Sequence, residues 1–240
     1  MEIKEYLESE GVTEAQLWDA SEIQDVPSSL EPELRTDVPG MEKAIVYGDP
    51  IALGDILDIH QGYDNPYGAV GTCGETTIAN LCTIAGMEIS EPEVVAYAME
   101  NGLCEEYDPI YKGGSTSISQ QISILKHFHL EAHCEVPSET ADPDRLAALI
   151  EGGYGVLLCI NYPLLYGRVP KEGTEDTARH AVCLTGTVRH MDGSLAGFYI
   201  CDSWYQNEDS GRVFVPLERM NACYTNISEA NAVITDNPIR

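Results

Sequence analysis

The sequence predicts an α+β fold with an antiparallel sheet. Helical periodicity fills residues 73–151, strand patterns fill residues 154–235, and the two do not alternate strictly. The later strand patterns include two that are joined by a short hairpin turn rather than by a crossover. A chain of 240 residues suits one domain of moderate size with a small appended element. The composition shift near residue 42 divides the chain into an N-terminal helical extension or linker, 1–42, and a main domain, 43–240.

Taken in order, residues 2–10 and 13–20 read as two short acidic helices, with Thr13 and Gln16 as a capping box. Residues 24–50 carry Pro27, Pro32, Pro39, Gly40, Gly48 and Pro50, a connector composition with at most a short strand at "AIVY". The extension is expected to pack on, or arch over, the main domain. From Cys73 onward Ile78, Leu81, Cys82 and Ala85 recur at helical spacing, and Gly86 ends the run. Ser90 with Glu93 caps a second helix that has Pro92 in its first turn. "GGSTS" precedes a third helix, marked by Ile118, Ile122, Leu125 and Phe128, and "DPDRLAALIEGG" forms a fourth. The strands follow as "YGVLLCINY", "HAVCLTGTVRH", "AGFYICDSW", "GRVFVP" and "NAVIT", with a short helix near "LERMNACY".

Forty acidic residues against thirteen basic ones give a net charge of −27. Such a surface repels nucleic acid and anionic membranes and favours a basic substrate or partner; solubility alone is the plainer explanation. No apolar run approaches the length of a membrane span. The acidic start "MEIKEYLESEG" is not a signal peptide, although a piece excised from a larger secreted protein would look the same. Eight cysteines are scattered without CxxC or zinc-ligand spacing, which favours reduced thiols in a cytoplasmic or other reducing compartment and no metal. Several, such as Cys159 and Cys183, lie inside apolar runs as small buried hydrophobes.

Cys73 differs from these. It follows a Gly-rich approach, "GAVGTCGETTIAN", and opens a helix. There the macrodipole and unpaired N–H groups favour thiolate, the nucleophilic form. A cysteine at such a place can equally be structural. His180 opens one strand and Asp202 closes the next. The even positions of both (His180, Val182, Leu184, Val188; Phe198, Ile200, Asp202, Trp204) are the more apolar and should share the core face. Even residues oppose even residues only if the loop has an odd length. A two-residue Asp192-Gly193 turn fails this test; a three-residue Met191-Asp192-Gly193 loop passes, with Gly193 left-handed. Asp202 then lies opposite Val182 and diagonal to His180, about 7–8 Å between Cβ atoms, within reach of an imidazole–carboxylate contact. The pair either orients a catalytic imidazole or is a polar pair at a strand edge.

A Cys-Gly at a helix start, a distant strand beginning with His, and "DSW" on the next strand together resemble a papain-like cysteine peptidase. The layout is also similar to the peptidase domains that cut leader peptides from bacteriocins and to papain-like domains at the ends of bacterial toxins and surface proteins. The resemblance covers residues 60–235 and keeps the order Cys, His, Asp. It implies a helical part carrying the nucleophile, packed on an antiparallel sheet carrying His and Asp. It implies Cys73 as nucleophile, His180 as general base and acid, Asp202 as orienter, and Trp204 as a cover over the His–Asp contact. Gln61, twelve residues before Cys73, is its candidate oxyanion donor, further upstream than is usual; it reads equally as a surface turn residue.

Of the remaining residues, Gly74 would let a substrate backbone approach. Glu75 would read a basic substrate group or complement the helix N-terminus. His60 reads as a surface residue, and His127, His129 and His133 as a solvated cluster. The segment 163–178 reads as a loop lining the substrate cleft. The expectation is a thiol hydrolase that cuts peptide or protein amide bonds through a thioester, without a cofactor. A protein-glutamine deamidase using the same three residues and an inactive papain-like binding module are the alternatives. The role of 1–42, as inhibitory prosegment, linker or docking element, and the oligomeric state stay open.

Overall fold

The computed structural model describes residues 28–62, 65–105, 112–135, 142–204 and 209–240, with Ser9, Gly11 and the backbone of Leu17–Trp18 besides. Among the described residues nine strands form one sheet: β1 (Leu17–Trp18), β2 (Glu33–Arg35), β3 (Ala44–Tyr47), β4 (Ala132–Glu135), β5 (Tyr154–Ile160), β6 (His180–Arg189), β7 (Leu195–Cys201), β8 (Val213–Pro216) and β9 (Asn231–Pro238). Every pairing is antiparallel except β1 with β4. The helices are α1 (Pro50–Gly54), α2 (Cys73–Ile84), α3 (Glu91–Glu100), α4 (Ile118–His127), α5 (Pro143–Glu151), α6 (Tyr162–Leu165) and α7 (Leu217–Met220). The fold is therefore α+β on a largely antiparallel sheet, as expected.

The helix starts follow their local chemistry. Both Ser90–Glu93 and Ser117–Gln120 form complete capping boxes, and Asp142 caps α5 by accepting from Asp144 N at 3.0 Å. Leu146, Leu149 and Ile150 of α5 and Ile78, Leu81 and Cys82 of α2 are buried against β5 and β6. Around the sheet, β6 is the hub. Its first half pairs with β5 and its second half with β3 along one edge, while β7 runs along the other.

The β6–β7 hairpin turns through Met191-Asp192-Gly193, with His190 N donating to Ser194 O at 2.8 Å and Gly193 at φ +87°. Two register shifts interrupt the ladder, between Val188 and Arg189 and between Leu184 and Gly186. Ala196 is the extra residue at the first and Thr185 at the second, so the shifts cancel. Cys183 faces Cys201, and continuing that register sets Asp202 opposite Val182, as the parity of the loop requires.

Some expectations are corrected. Successive β residues point to opposite faces, yet His180–Val188 are all buried, so both faces of β6 are covered rather than only the even one. Thr187 Oγ1, on an odd position, donates to Glu151 Oε1 at 2.9 Å. Residues 33–35, within the expected extension, pair with β3, and Ser29 N and Leu30 N donate to Glu151 O, so of the two alternatives this stretch packs on the main domain, as a sheet edge, and does not arch over it. Leu17–Trp18 is strand where a helix is expected; the Thr13–Gln16 capping box lies outside the described residues. Of the three histidines read as a solvated cluster, His127 and His129 are exposed, His127 stacking on Tyr97 with centroids 3.6 Å apart, whereas His133 is buried and bonds Asp236 Oδ1 at 2.7 Å. No helix among the described residues is long and apolar enough to cross a membrane.

Candidate active site

Cys73 is the first residue of α2, and it is packed against the start of β6. Its Sγ accepts from Ala181 N at 3.5 Å. It is partly exposed, whereas the other seven cysteines are buried; all eight are free thiols. Next to Ala181, His180 is 6% exposed and its Nε2 lies 2.7 Å from Asp202 Oδ1. That bond leaves Nδ1 unused by Asp202, and the imidazole is near enough to Cys73 for each to shift the titration of the other. Asp202 has no exposed surface and takes three donors: His180 Nε2 and Trp204 N (2.9 Å) on Oδ1, and the Tyr166 hydroxyl on Oδ2.

The electrostatics favour an ion pair. Burial resists charge on Cys73, but the bond and charge of His180 and the N–H groups of Ala181 and Gly74 outweigh it, and the thiol titrates below its ordinary value. Burial likewise opposes charge on His180, but Asp202 and Cys73 overcome it and raise the imidazole to about 10. Asp202 is lowered despite burial, because His180, Tyr166 and Trp204 N all favour its carboxylate. Five of the other thiols move the opposite way: burial raises Cys134 and Cys201 and pushes Cys82, Cys183 and Cys223 up to about 12. Of these six thiols, only Cys73 is shifted toward thiolate, the form a nucleophile needs.

The structure places Gln61 beside this group and not on the surface. Its backbone N donates to Ser203 O at 3.2 Å, its Oε1 accepts from Ser203 Oγ at 3.1 Å, and its Nε2 donates one hydrogen to Val70 O at 2.9 Å. It thus bridges the approach to Cys73 and the chain leaving Asp202, with a second amide hydrogen still available. Glu91 holds the same turn, accepting from Gly62 N at 3.0 Å. Its sequence signal was ambiguous, since an acidic residue in a first helical turn is usually an exposed dipole partner.

Two expected substrate contacts are corrected. A Cβ on Gly74 would lie 2.2 Å from Thr116 Oγ1, so the missing side chain admits the 113–117 loop, not a substrate. Glu75 is fully buried, with neither carboxylate oxygen hydrogen-bonded, so it does not read a substrate group. Burial, with Cys73 and Glu91 nearby, holds its carboxyl well above the usual range. Trp204 is 40% exposed and its backbone N–H donates to Asp202 Oδ1; Tyr162 is an aromatic neighbour of His180, edge-on with centroids 5.1 Å apart. His60 is exposed, as expected.

Tyr162 and Tyr166 lie on α6 and its end, where the sequence suggested the end of a strand and the start of the cleft-lining loop 163–178. "NYPLLY" carried the signal: Asn161 caps the helix by accepting from Leu164 N, Pro163 sits in the first turn, and the tyrosines are four apart on one face. Among the described residues, no three His, Cys, Asp or Glu side chains gather as a metal site. No protein-family model, curated protein or solved structure matches the chain.

Proposed function

We propose that the chain is a cysteine-dependent hydrolase of peptide amide bonds, of the papain-like kind that the three motifs resemble. One observation carries the reading: a thiol at a helix N-terminus, partly open to solvent, paired with an imidazole whose other nitrogen is bound to a fully buried carboxylate. In the proposed reaction the Cys73 thiolate attacks the amide carbon and forms a tetrahedral oxyanion. The Cys73 backbone N–H and the second amide hydrogen of Gln61 are the donors assigned to that oxyanion. As the C–N bond breaks, the His180 imidazolium gives its proton to the leaving nitrogen, and the acyl group remains as a thioester. Neutral His180 then takes a proton from water, whose oxygen attacks the thioester; the acid leaves and the thiolate–imidazolium pair is restored. Asp202 holds the ring in place throughout and stabilises its charged form.

The first test needs no substrate. At neutral pH an alkylating probe followed by peptide mapping should modify Cys73 well ahead of the other seven cysteines. Equal rates at all eight would remove the activated nucleophile and leave a binding module. Proteome-derived peptides treated with the protein and with Cys73→Ala would then be compared by mass spectrometry. New chain ends that depend on Cys73 support the proposal. An amide-to-acid mass increment without chain cleavage would reassign the same three residues to side-chain deamidation.

A further inference from the structure

The assignment of His180 and Asp202 leaves one strong contact unexplained. The Tyr166 hydroxyl donates to Asp202 Oδ2, the carboxylate oxygen that His180 does not use. We infer that Tyr166 is a positioning residue for the His180–Asp202 pair. In this view α6 is the element that fixes the pair. The inference rests on the cysteine-hydrolase reading above and extends it.

The covalent route begins at β5. Ile160 is paired with His180, so the chain leaving β5 must pass beside the imidazole. Asn161 turns it into α6 and locks it there. The Asn161 side chain is buried, accepts from Leu164 N at 3.2 Å, and donates to the carbonyls of Thr174 and Glu175 at 3.1 Å each. One amide thus ties the start of α6 to the far end of the 162–175 excursion. Tyr162 is thereby set edge-on to His180, and Tyr166, one turn on, packs at 5.2 Å from Tyr162 and reaches Asp202. The Arg168 guanidinium lies 5.9 Å from the Tyr166 ring centroid and closes the stack from outside. Asp202, which accepts from Tyr166, has no exposed surface.

The hydroxyl has two consequences for the imidazole. It fixes the rotation of the carboxylate, and through it the plane in which His180 meets Cys73. It also withdraws charge from the carboxylate, because a bond to Oδ2 is made at the expense of the pull that Asp202 exerts on the imidazolium. Removing the hydroxyl should therefore leave the carboxylate a stronger, less well-aimed acceptor. The imidazolium should deprotonate at higher pH while turnover falls. A residue that merely filled space would change neither the upper ionisation nor its direction.

The test is the pH dependence of Cys73 alkylation in the full chain, which reports the pair without a substrate. In the parent protein the upper step, set by His180, is expected near 10. Tyr166→Phe keeps the ring and its Arg168 contact, and should move that step up by about half a unit to one unit. On a substrate found by the peptide screen, kcat should fall about tenfold with KM little changed. A ring-fluorinated tyrosine at 166, whose more acidic hydroxyl donates more strongly, should move the step down; this arm stands even if Tyr166→Phe does not fold. If parent Cys73 alkylates no faster than the other thiols, the hydrolase reading fails. If it is fast and neither replacement moves the upper step, only the role given to Tyr166 is overturned.

Discussion

Asp202→Asn isolates what the charge of the third residue does. An asparagine can keep the geometry. Its carbonyl takes the place of Oδ1, accepting from His180 and from Trp204 N, and its amide faces Tyr166, whose hydroxyl changes from donor to acceptor. Little packing is lost, since side-chain volume is nearly unchanged at a site with no exposed surface. What disappears is the negative charge beside the imidazolium. A hydrogen bond to a charged group contributes about 1.5–3 kcal/mol, against about 1 kcal/mol for a neutral one. The imidazolium should therefore lose about 1–1.5 kcal/mol, close to one pKa unit. His180, now at about 10, should titrate near about 9. The ion pair exists between the lowered value of Cys73 and the raised value of His180, so the variant should lose its basic limb earlier and keep its acidic one. The assay is the Cys73 alkylation rate across pH, with thermal unfolding run in parallel to show that the fold is retained. A basic limb that stays in place in a folded variant would refute the view that the Asp202 charge holds the imidazolium. The shift is opposite in sign to the one expected for Tyr166→Phe, so general loosening of the site cannot produce both.

Three further variants probe the frame around the site. Glu75 titrates above its unfolded value, so folded protein keeps a proton that the unfolded chain releases; its contribution to stability is fully present below about 4.3 and declines as pH rises toward the raised value. Glu75→Gln should remove that decline, so its melting temperature relative to the parent should climb with pH over this window; parallel curves would contradict the assignment. Gly74→Ala gains about 1 kcal/mol of helix propensity but sets its Cβ against Thr116 Oγ1, which must turn and give up the bond from Gln121 Nε2. A net loss of about 1–2 kcal/mol in urea unfolding is expected, and a more stable variant would restore an open approach at Gly74. Asn161→Ala strands Leu164 N and the carbonyls of Thr174 and Glu175, for a loss of about 2–3 kcal/mol by the same measurement; a change within experimental error would show that α6 is held by other contacts.

The catalytic candidates were legible in the sequence because each depends on local rules. A cysteine that opens an amphipathic helix inherits the helix N-terminus wherever the helix packs, and Cys73 keeps that place in α2. Side-chain alternation and an odd hairpin loop bring His180 and Asp202 to one end of neighbouring strands; the two bulges that shift the register between them cancel, so the parity survives. Capping boxes at Ser90 and Ser117 are likewise complete within four residues. Burial and long-range partners are not encoded in that way. Whether Glu75 faces solvent or interior, whether Gly74 admits a substrate or the Thr116 loop, and that Tyr166 reaches Asp202 all depend on segments far away in the chain. The sequence by itself determined which residues have the chemistry and at which ends of their elements they stand. Only the tertiary structure decided what surrounds them, because desolvation and hydrogen-bond partners are properties of packed neighbours and not of the chain's own period.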